Sequence, residues 1–302
     1  MGSAITIRPV SVADAAIAAD LRRRATPHFG LSAEGMAVRL GGSERLLGWL
    51  AYSGRTARGF AFCRPPAQGR ARLGILVPPE ERRHGVGSAM LAAADAALDG
   101  PALTITGIAD EPDGTAFAVA HGFTVGRRHR FSAVDTGHVA EPPPCDPEVS
   151  VVPLSDVAPR AVWSLHQRVS LDDPSGLAVP TSYENWLEEE WTFPDHAPDL
   201  GVAAICDGQV VAFTQVVLDP VERAMWTPMT GVDQRYRGRG LARLVKATAL
   251  IAARDAGVTR AFTVNDGANA PMLAVNDALG FQPTGTSCAV ERRPQTTGGA
   301  GA

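Results

Sequence analysis

The 302-residue chain has a single lysine, Lys246, among 28 basic residues. With its high alanine content, that skew fits codon bias in a GC-rich genome and points to a bacterial source. No stretch approaches the ~20 apolar residues that span a bilayer, so no membrane role is expected. No basic segment followed by an apolar one opens the chain, and the expected compartment is the cytoplasm. The net charge is −4 and the pI about 6.0, which gives no global field to attract nucleic acid. The four cysteines (Cys63, Cys145, Cys206, Cys288) are too widely spaced for a zinc knuckle or a C-x-x-C redox pair. Free thiols and no metal are the expectation. No H-E-x-x-H, G-x-S-x-G or G-x-x-x-x-G-K-[ST] motif occurs, which removes the main support for metalloprotease, α/β-hydrolase and P-loop readings.

What the chain does contain is a repeat. Ile5-Thr6-Ile7-Arg8-Pro9-Val10 and Val149-Ser150-Val151-Val152-Pro153-Leu154 each read as strand, proline turn and helix. Arg82-Arg83-His84-Gly85-Val86-Gly87 is followed by Gly122-Phe123, and Arg237-Gly238-Arg239-Gly240-Leu241-Ala242 by Gly280-Phe281. The intervals are 37 residues from Gly85 to Gly122 and 40 from Gly240 to Gly280. Between the halves lies Glu141-Pro142-Pro143-Pro144-Cys145-Asp146-Pro147, where the prolines remove backbone donors and stiffen a linker. The expected organisation is a domain over 1–137, a linker over 138–148, a second domain over 149–293, and a disordered tail over 294–302. Each half reads as a mixed α/β domain. Strands are expected at 45–51, 58–63, 71–77 and 102–108, and at 201–206, 210–217, 224–232 and 260–264. Segments 125–133 and 282–291 are expected to close the first and second sheets respectively.

The strongest chemistry lies where a strand ending at Val232 meets the loop 233–240 and a helix starting at Leu241. The first turn of a helix has unpaired N–H groups and a partial positive charge, and glycine lets an anion approach them closely. Arg237 and Arg239 add charge, so the unit suits a phosphate. Val77, Arg82, Arg83, His84, Gly85, Val86, Gly87 and Ser88 repeat the pattern. A Rossmann loop is disfavoured, because these loops do not follow the first strand.

These residues resemble the GCN5-related N-acetyltransferases (GNAT), whose pyrophosphate loop reads Gln/Arg-x-x-Gly-x-Gly/Ala after a strand ending in Val. The segment from Asn265 to Phe281, with Asn269, Asn276 and Leu279-Gly280-Phe281, is similar to one branch of that family. The resemblance spans nearly the whole chain as a tandem repeat. It implies two domains, each with a mixed, mostly antiparallel central sheet flanked by helices. It also implies acetyl-CoA, or a related acyl-CoA, as co-substrate. The pyrophosphate would lie on the N–H groups from Arg237 through Gly238, Arg239, Gly240 and Leu241 to Ala242. The pantetheine arm would run beside Thr230-Gly231-Val232, with a backbone N–H at Val232 polarising the thioester. Asn269 and Asn276 would contact the co-substrate.

The chain departs from the family in two respects. Many members carry a Tyr that protonates the thiolate; Asn276 stands there in the second half and Ala118 in the first. No Glu occupies the fourth strand, which leaves Glu222 and Asp266 as positional candidates for the base. The fuller match favours catalysis in the second domain by direct attack of a small-molecule primary amine. Asp173, Tyr183 and Trp186 lie in the segment that lines the acceptor cleft in the family. Two other readings stay open: mycothiol synthase-like acetylation of a cysteinyl sugar, and a non-catalytic acyl-CoA-binding regulator. The expected assembly is a monomer or homodimer.

Overall fold

A computed structural model describes residues 4–42, 46–67, 69–98, 103–172 and 181–294. Asp173 and positions 295–302 of the expected tail lie outside the described residues. In chain order the elements of the first half are β1 (Ile5–Pro9), α1 (Ala15–Ala25), α2 (Ala33–Gly41), β2 (Leu47–Ser53), β3 (Thr56–Ala67), β4 (Arg70–Leu76), α3 (Val86–Ala97), β5 (Thr104–Asp110), α4 (Asp113–Ala120) and β6 (Thr124–Asp135). They continue with β7 (Val149–Pro153), α5 (Pro159–Ser170), α6 (Tyr183–Trp186), β8 (Val202–Cys206), β9 (Gln209–Thr214), β10 (Val217–Asp219), β11 (Ala224–Trp226) and β12 (Thr230–Val232). The last four are α7 (Leu241–Asp255), β13 (Arg260–Asp266), α8 (Ala270–Ala278) and β14 (Gln282–Arg292). The fold is mixed α/β, with mostly antiparallel sheets flanked by helices. Among the described residues no helix is long and apolar enough to cross a membrane.

The chain folds into two compact units. Unit 1 holds residues 1–27, 36–128 and 287–302; unit 2 holds 28–35 and 129–286. In unit 1 the strands run in the order β1-β2-β3-β4-β5, and the Ser287–Arg292 part of β14 pairs antiparallel with β5. Helix α3 covers this sheet because Val86, Met90, Leu91 and Ala94 fall on one face and are buried with Trp49, Ala61 and Ile105. In unit 2, β6 (through residues 129–135), β13, β11 and β10 form one sheet segment, and β12, β9, β8 and β7 another. The β8–β9 hairpin turns at Asp207-Gly208, both at positive φ (50° and 71°), as a two-residue loop between right-twisted strands requires. Leu241, Leu244, Val245, Leu250 and Ala253 of α7 pack under this sheet with Val211, Met225 and Phe281. Each large apolar side chain so buried contributes about 1.5–3 kcal/mol.

Two expectations are corrected. The closing strands do not each complete their own half. Residues 129–135 pair with β13, and 287–292 pair with β5. Both segments mix a short apolar run (Ala133-Val134, Cys288-Ala289-Val290) with polar residues, and nothing in that pattern is particular to one partner. The single strand expected over 224–232 is instead two strands, interrupted at Thr227–Met229. Pro228 has no N–H to give to a ladder, and such a residue is confined to edges and bulges.

Candidate active site

The interruption is a β-bulge. Gln215 N donates to Met229 O at 2.9 Å, and Val217 pairs with Trp226. Two steps on one strand thus oppose three on the other, and the extra residue lies at Thr227–Pro228. Below the bulge β11 runs parallel to β13, ending with a bond from Thr227 N to Phe262 O at 3.1 Å. Above it β12 pairs with β9. The pair β12/β13 therefore splits open toward Val232 and Asp266. Met229 O and Asp233 N bond β9, so alternation sends the backbone groups of Thr230 and Val232 into the split. By the same rule Val264 faces it from β13. In unit 1, β3 and β4 keep one register from Phe60↔Leu76 to Arg64↔Arg72 and shift only beyond it, between Arg64 and Ala67 on β3. There β4 and β5 pair over Arg70–Arg72 and Thr104–Thr106 and then part toward Val77.

The loop after β12 has a near-copy after β4. Arg237 Nε donates to Val232 O at 3.3 Å, and Arg82 Nε donates to Val77 O at 3.3 Å. Gly240 (φ 77°) caps α7 and Gly85 (φ 82°) caps α3. Two residues earlier Gly238 (φ 78°) matches Arg83 (φ 65°), a left-handed conformation that a side chain rarely adopts. Successive N–H groups around such residues converge into an anion nest. A Cβ added at Gly85, Gly238 or Gly240 would meet nothing within 4 Å, so both loops face open space. Leu241 and Val86 turn their side chains into the core, which leaves only their backbone for a ligand.

The arginines are partly committed. Arg237 Nη2 pairs with Asp172 at 2.7 Å, and Arg82 Nη1 with Asp113 at 3.4 Å. Both are exposed pairs of small energetic weight, which an anion can displace. Asp233 anchors the loop from below. Its carboxylate accepts from Arg235 N, Arg235 Nε and Arg168 Nη2, each at 3.1 Å, and the bonds to Arg235 hold its pKa down at about 2. Arg239 lies over the Tyr236 ring at 5.1 Å, and Ser88 Oγ meets His121 Nε2 at 3.2 Å.

The other expected residues scatter. Asn276 is fully buried: its Nδ2 donates to Asn265 Oδ1 at 2.6 Å and its Oδ1 accepts from Lys246 Nζ at 2.8 Å. Asn269 caps α8, accepting from Met272 N at 3.3 Å. Asp266 stands at the open end of β13 but is buried, and it accepts from Ala268 N at 2.7 Å. Glu222 lies in the turn before β11, beside Arg223, whose carbonyl accepts from Thr259 N. That is the far end of β13, roughly 20 Å from Asp266 at ~3.3 Å per residue, so Glu222 is out of reach of the split. Trp186 is 0% exposed in a core with Leu165 and Phe213, which makes it packing rather than a cleft wall. Tyr183 is half-buried, with the Arg160 guanidinium 4.0 Å from its ring. His166, on α5, is buried with its pKa pushed down to about 4, and Nε2 lies 3.5 Å from Glu190.

The sequence reading missed what lies at the apex of the split. Lys246 Nζ, on α7, reaches Asn276 Oδ1, Thr227 Oγ1 at 3.4 Å and Thr263 Oγ1 at 3.5 Å. The lysine is 1% exposed, and burial pushes its pKa down to about 7. One signal was available: the only lysine of the chain falls on the inward face of an amphipathic helix.

Residues 165–281, which include the bulge, the loop and the apex, match the acetyltransferase (GNAT) family. The chain is 27% identical over 278 residues to a mycothiol acetyltransferase of Thermomonospora curvata, covering 86% of this chain and 88% of that one. It is 25% identical over 268 residues to a mycothiol acetyltransferase of Nocardiopsis dassonvillei, covering 77% of each. Its fold is similar to that of a tandem GNAT protein from the clavulanic acid biosynthesis pathway, with a TM-score of 0.72, 23% identity, and coverage of 96% and 98%. Residues 165–281 thus match a GNAT acetyltransferase domain, and the chain as a whole has the fold of a tandem GNAT protein. GNAT proteins use acetyl-CoA, and through the domain matched over residues 165–281 the chain is by class an N-acetyltransferase. No cluster of His, Cys, Asp and Glu among its described residues could hold a metal.

Proposed function

We propose that the chain transfers an acetyl group from acetyl-CoA to a primary amine of a small molecule, by direct attack, in its C-terminal repeat. The bulge at Thr227–Pro228 carries this reading: β4 and β5 also part beyond Arg72↔Thr106, but β4 has no extra residue at the place that corresponds to Thr227–Pro228. A pantetheine arm has amides that suit the inward-facing backbone of Thr230, Val232 and Val264. The pyrophosphate then falls on the nest at Gly238–Ala242. A thioester carbonyl beside Val232 accepts from its N–H, which favours the tetrahedral oxyanion over the ground state. The attacking amine forms the C–N bond and CoA leaves as thiolate, so no protein nucleophile is used. The N-terminal repeat keeps its loop and is read as a CoA-binding or architectural domain. The two relatives named mycothiol acetyltransferase favour the amine of a cysteinyl sugar as the acceptor class.

Calorimetric titration with acetyl-CoA tests the placement, with Gly85→Glu and Gly240→Glu as variants. Each adds negative charge, and a side chain at a φ near 80°, beside the nest. The expected result is that Gly240→Glu abolishes binding at the site of unit 2, and with it turnover of a cysteinyl sugar amine, while Gly85→Glu leaves both. Unchanged binding in the Gly240 variant overturns the assignment to unit 2. Tight binding without turnover across a broad amine panel favours a regulatory acyl-CoA binder.

A further inference from the structure

The chain places its one lysine where a charge is hardest to keep. Lys246 is 1% exposed and has no carboxylate within ion-pair distance among the described residues; its partners there are two hydroxyls, one amide and the Phe281 ring 5.0 Å away. Folding does not demand it. Six residues after the cap glycine of the corresponding helix, unit 1 has Leu91, and in place of Asn276 it has Ala118. Both are buried and apolar. The polar cluster thus occurs in the unit whose strand carries the extra residue at Thr227–Pro228, and its lysine and asparagine are replaced by hydrocarbon in the unit whose β4 has none there. Desolvated ionisable groups of this kind concentrate where charge develops during a reaction.

We propose that Lys246 is a positioning residue for acetyl transfer: its ammonium orients Asn276 and brings positive charge to the apex of the split, stabilising the sulfur that leaves acetyl-CoA as thiolate. This rests on the placement of acetyl-CoA in the split of unit 2. In the step, the amine nitrogen forms the C–N bond and the C–S bond breaks with its electron pair on sulfur. The proton lost by nitrogen passes to water, and Lys246 keeps its own. The ammonium donates to Asn276 Oδ1, which fixes the amide orientation and directs Nδ2 to Asn265 Oδ1 at 2.6 Å. The half-buried Asn265, on the strand that bounds the split, is thereby linked to the ammonium through Asn276. Hydrogen bonds in series polarise one another, so the charge is felt along the chain. Other charges on the surrounding elements are engaged elsewhere. Asp266 on β13 holds Ala268 N, Asp277 on α8 pairs with Arg130 at 2.6 Å, and Arg223 beside β11 donates to Gly257 O. Arg243, one turn before on α7, is the like charge.

A single lysine gives a single side-chain resonance in lysine-selective ¹³C labelling, so Lys246 can be titrated in the intact wild-type protein. The titration is run alone, with CoA, and with desulfo-CoA, in which hydrogen replaces the thiol. Burial alone gives a midpoint near 7 in the free protein. The expected result is a midpoint about 1–3 units higher with CoA than with desulfo-CoA, because an adjacent thiolate favours the ammonium. Linkage requires the bound thiol to titrate lower by the same amount, read from its ultraviolet thiolate absorbance. Equal Lys246 midpoints with both ligands bound overturn the proposal, since a purely structural lysine does not sense the sulfur. Failure of either ligand to bind overturns instead the underlying reading that CoA occupies the split.

Discussion

Lys246 and Asn276 set the two repeats apart at the level of single side chains. The corresponding pair in unit 1, Leu91 and Ala118, suggests an exchange: Lys246→Leu with Asn276→Ala. The two threonine hydroxyls, 3.3 Å apart, can still bond each other. Below pH 7 the wild type carries the full cost of a buried ammonium in the folded state. Between about 7 and 10.5 the unfolded chain binds a proton that the folded chain does not, so wild-type stability rises with pH. The double variant is therefore expected to be more stable at pH 6, by about 1–4 kcal/mol, with the gap narrowing by pH 9. Acetyl transfer should fall by at least about tenfold while CoA binding persists. Urea denaturation at the two pH values checks this, and an equal stability difference at both would remove the charge from the explanation. The sequence displayed Asn276 because Leu279-Gly280-Phe281 fixes its place. It showed Lys246 only as a compositional oddity, since burial comes from the packing of α7 under strands distant in sequence.

Strand β12 is short, but it decides the site. Its Gly231 lies against α5, where an added Cβ would come within 2.7 Å of Val169 Cγ2 and 2.9 Å of Phe213 Cε1. Gly231→Val is expected to lower stability by about 1–3 kcal/mol, because a close-packed core cannot take up the extra volume without shifting a strand or helix. A denaturant midpoint equal to that of the wild type would show that β12 has room on this face. The loops were legible at this scale because glycine and arginine punctuate them, and the Asp207-Gly208 hairpin because its turn residues demand it. The bulge was not. Residues 224–232 read as one strand by hydropathy, and a register shift shows only once the opposite strand is counted. Pro228 marked the break, since it cannot serve a ladder.

At the scale of the whole chain the repeat was legible and the strand exchange was not. Two copies of one pattern announce themselves by spacing. Which closing strand pairs with which sheet depends on long-range pairing between segments of equal β character. Ser287–Arg292 pairs with β5 through six residue pairs, from Ser287↔Asp110 to Arg292↔Ile105. The same segment brings Glu291 to Arg70 at 2.7 Å and Val290 into the apolar core of unit 1. A fragment ending at residue 137 contains β1 to β5 but lacks this strand, and leaves one side of β5 without its ladder. Unpaired buried backbone is costly, and an open apolar edge invites association. The fragment is therefore expected to aggregate or to unfold without cooperativity, although the repeat alone would mark it as a complete domain. The full chain cut after Thr286 should lose hydrogen-exchange protection over Thr104–Asp110 first, far in sequence from the cut. If the 1–137 fragment unfolds in one cooperative transition as a monomer, β14 is not needed to complete that unit, and the exchange contributes little to its stability.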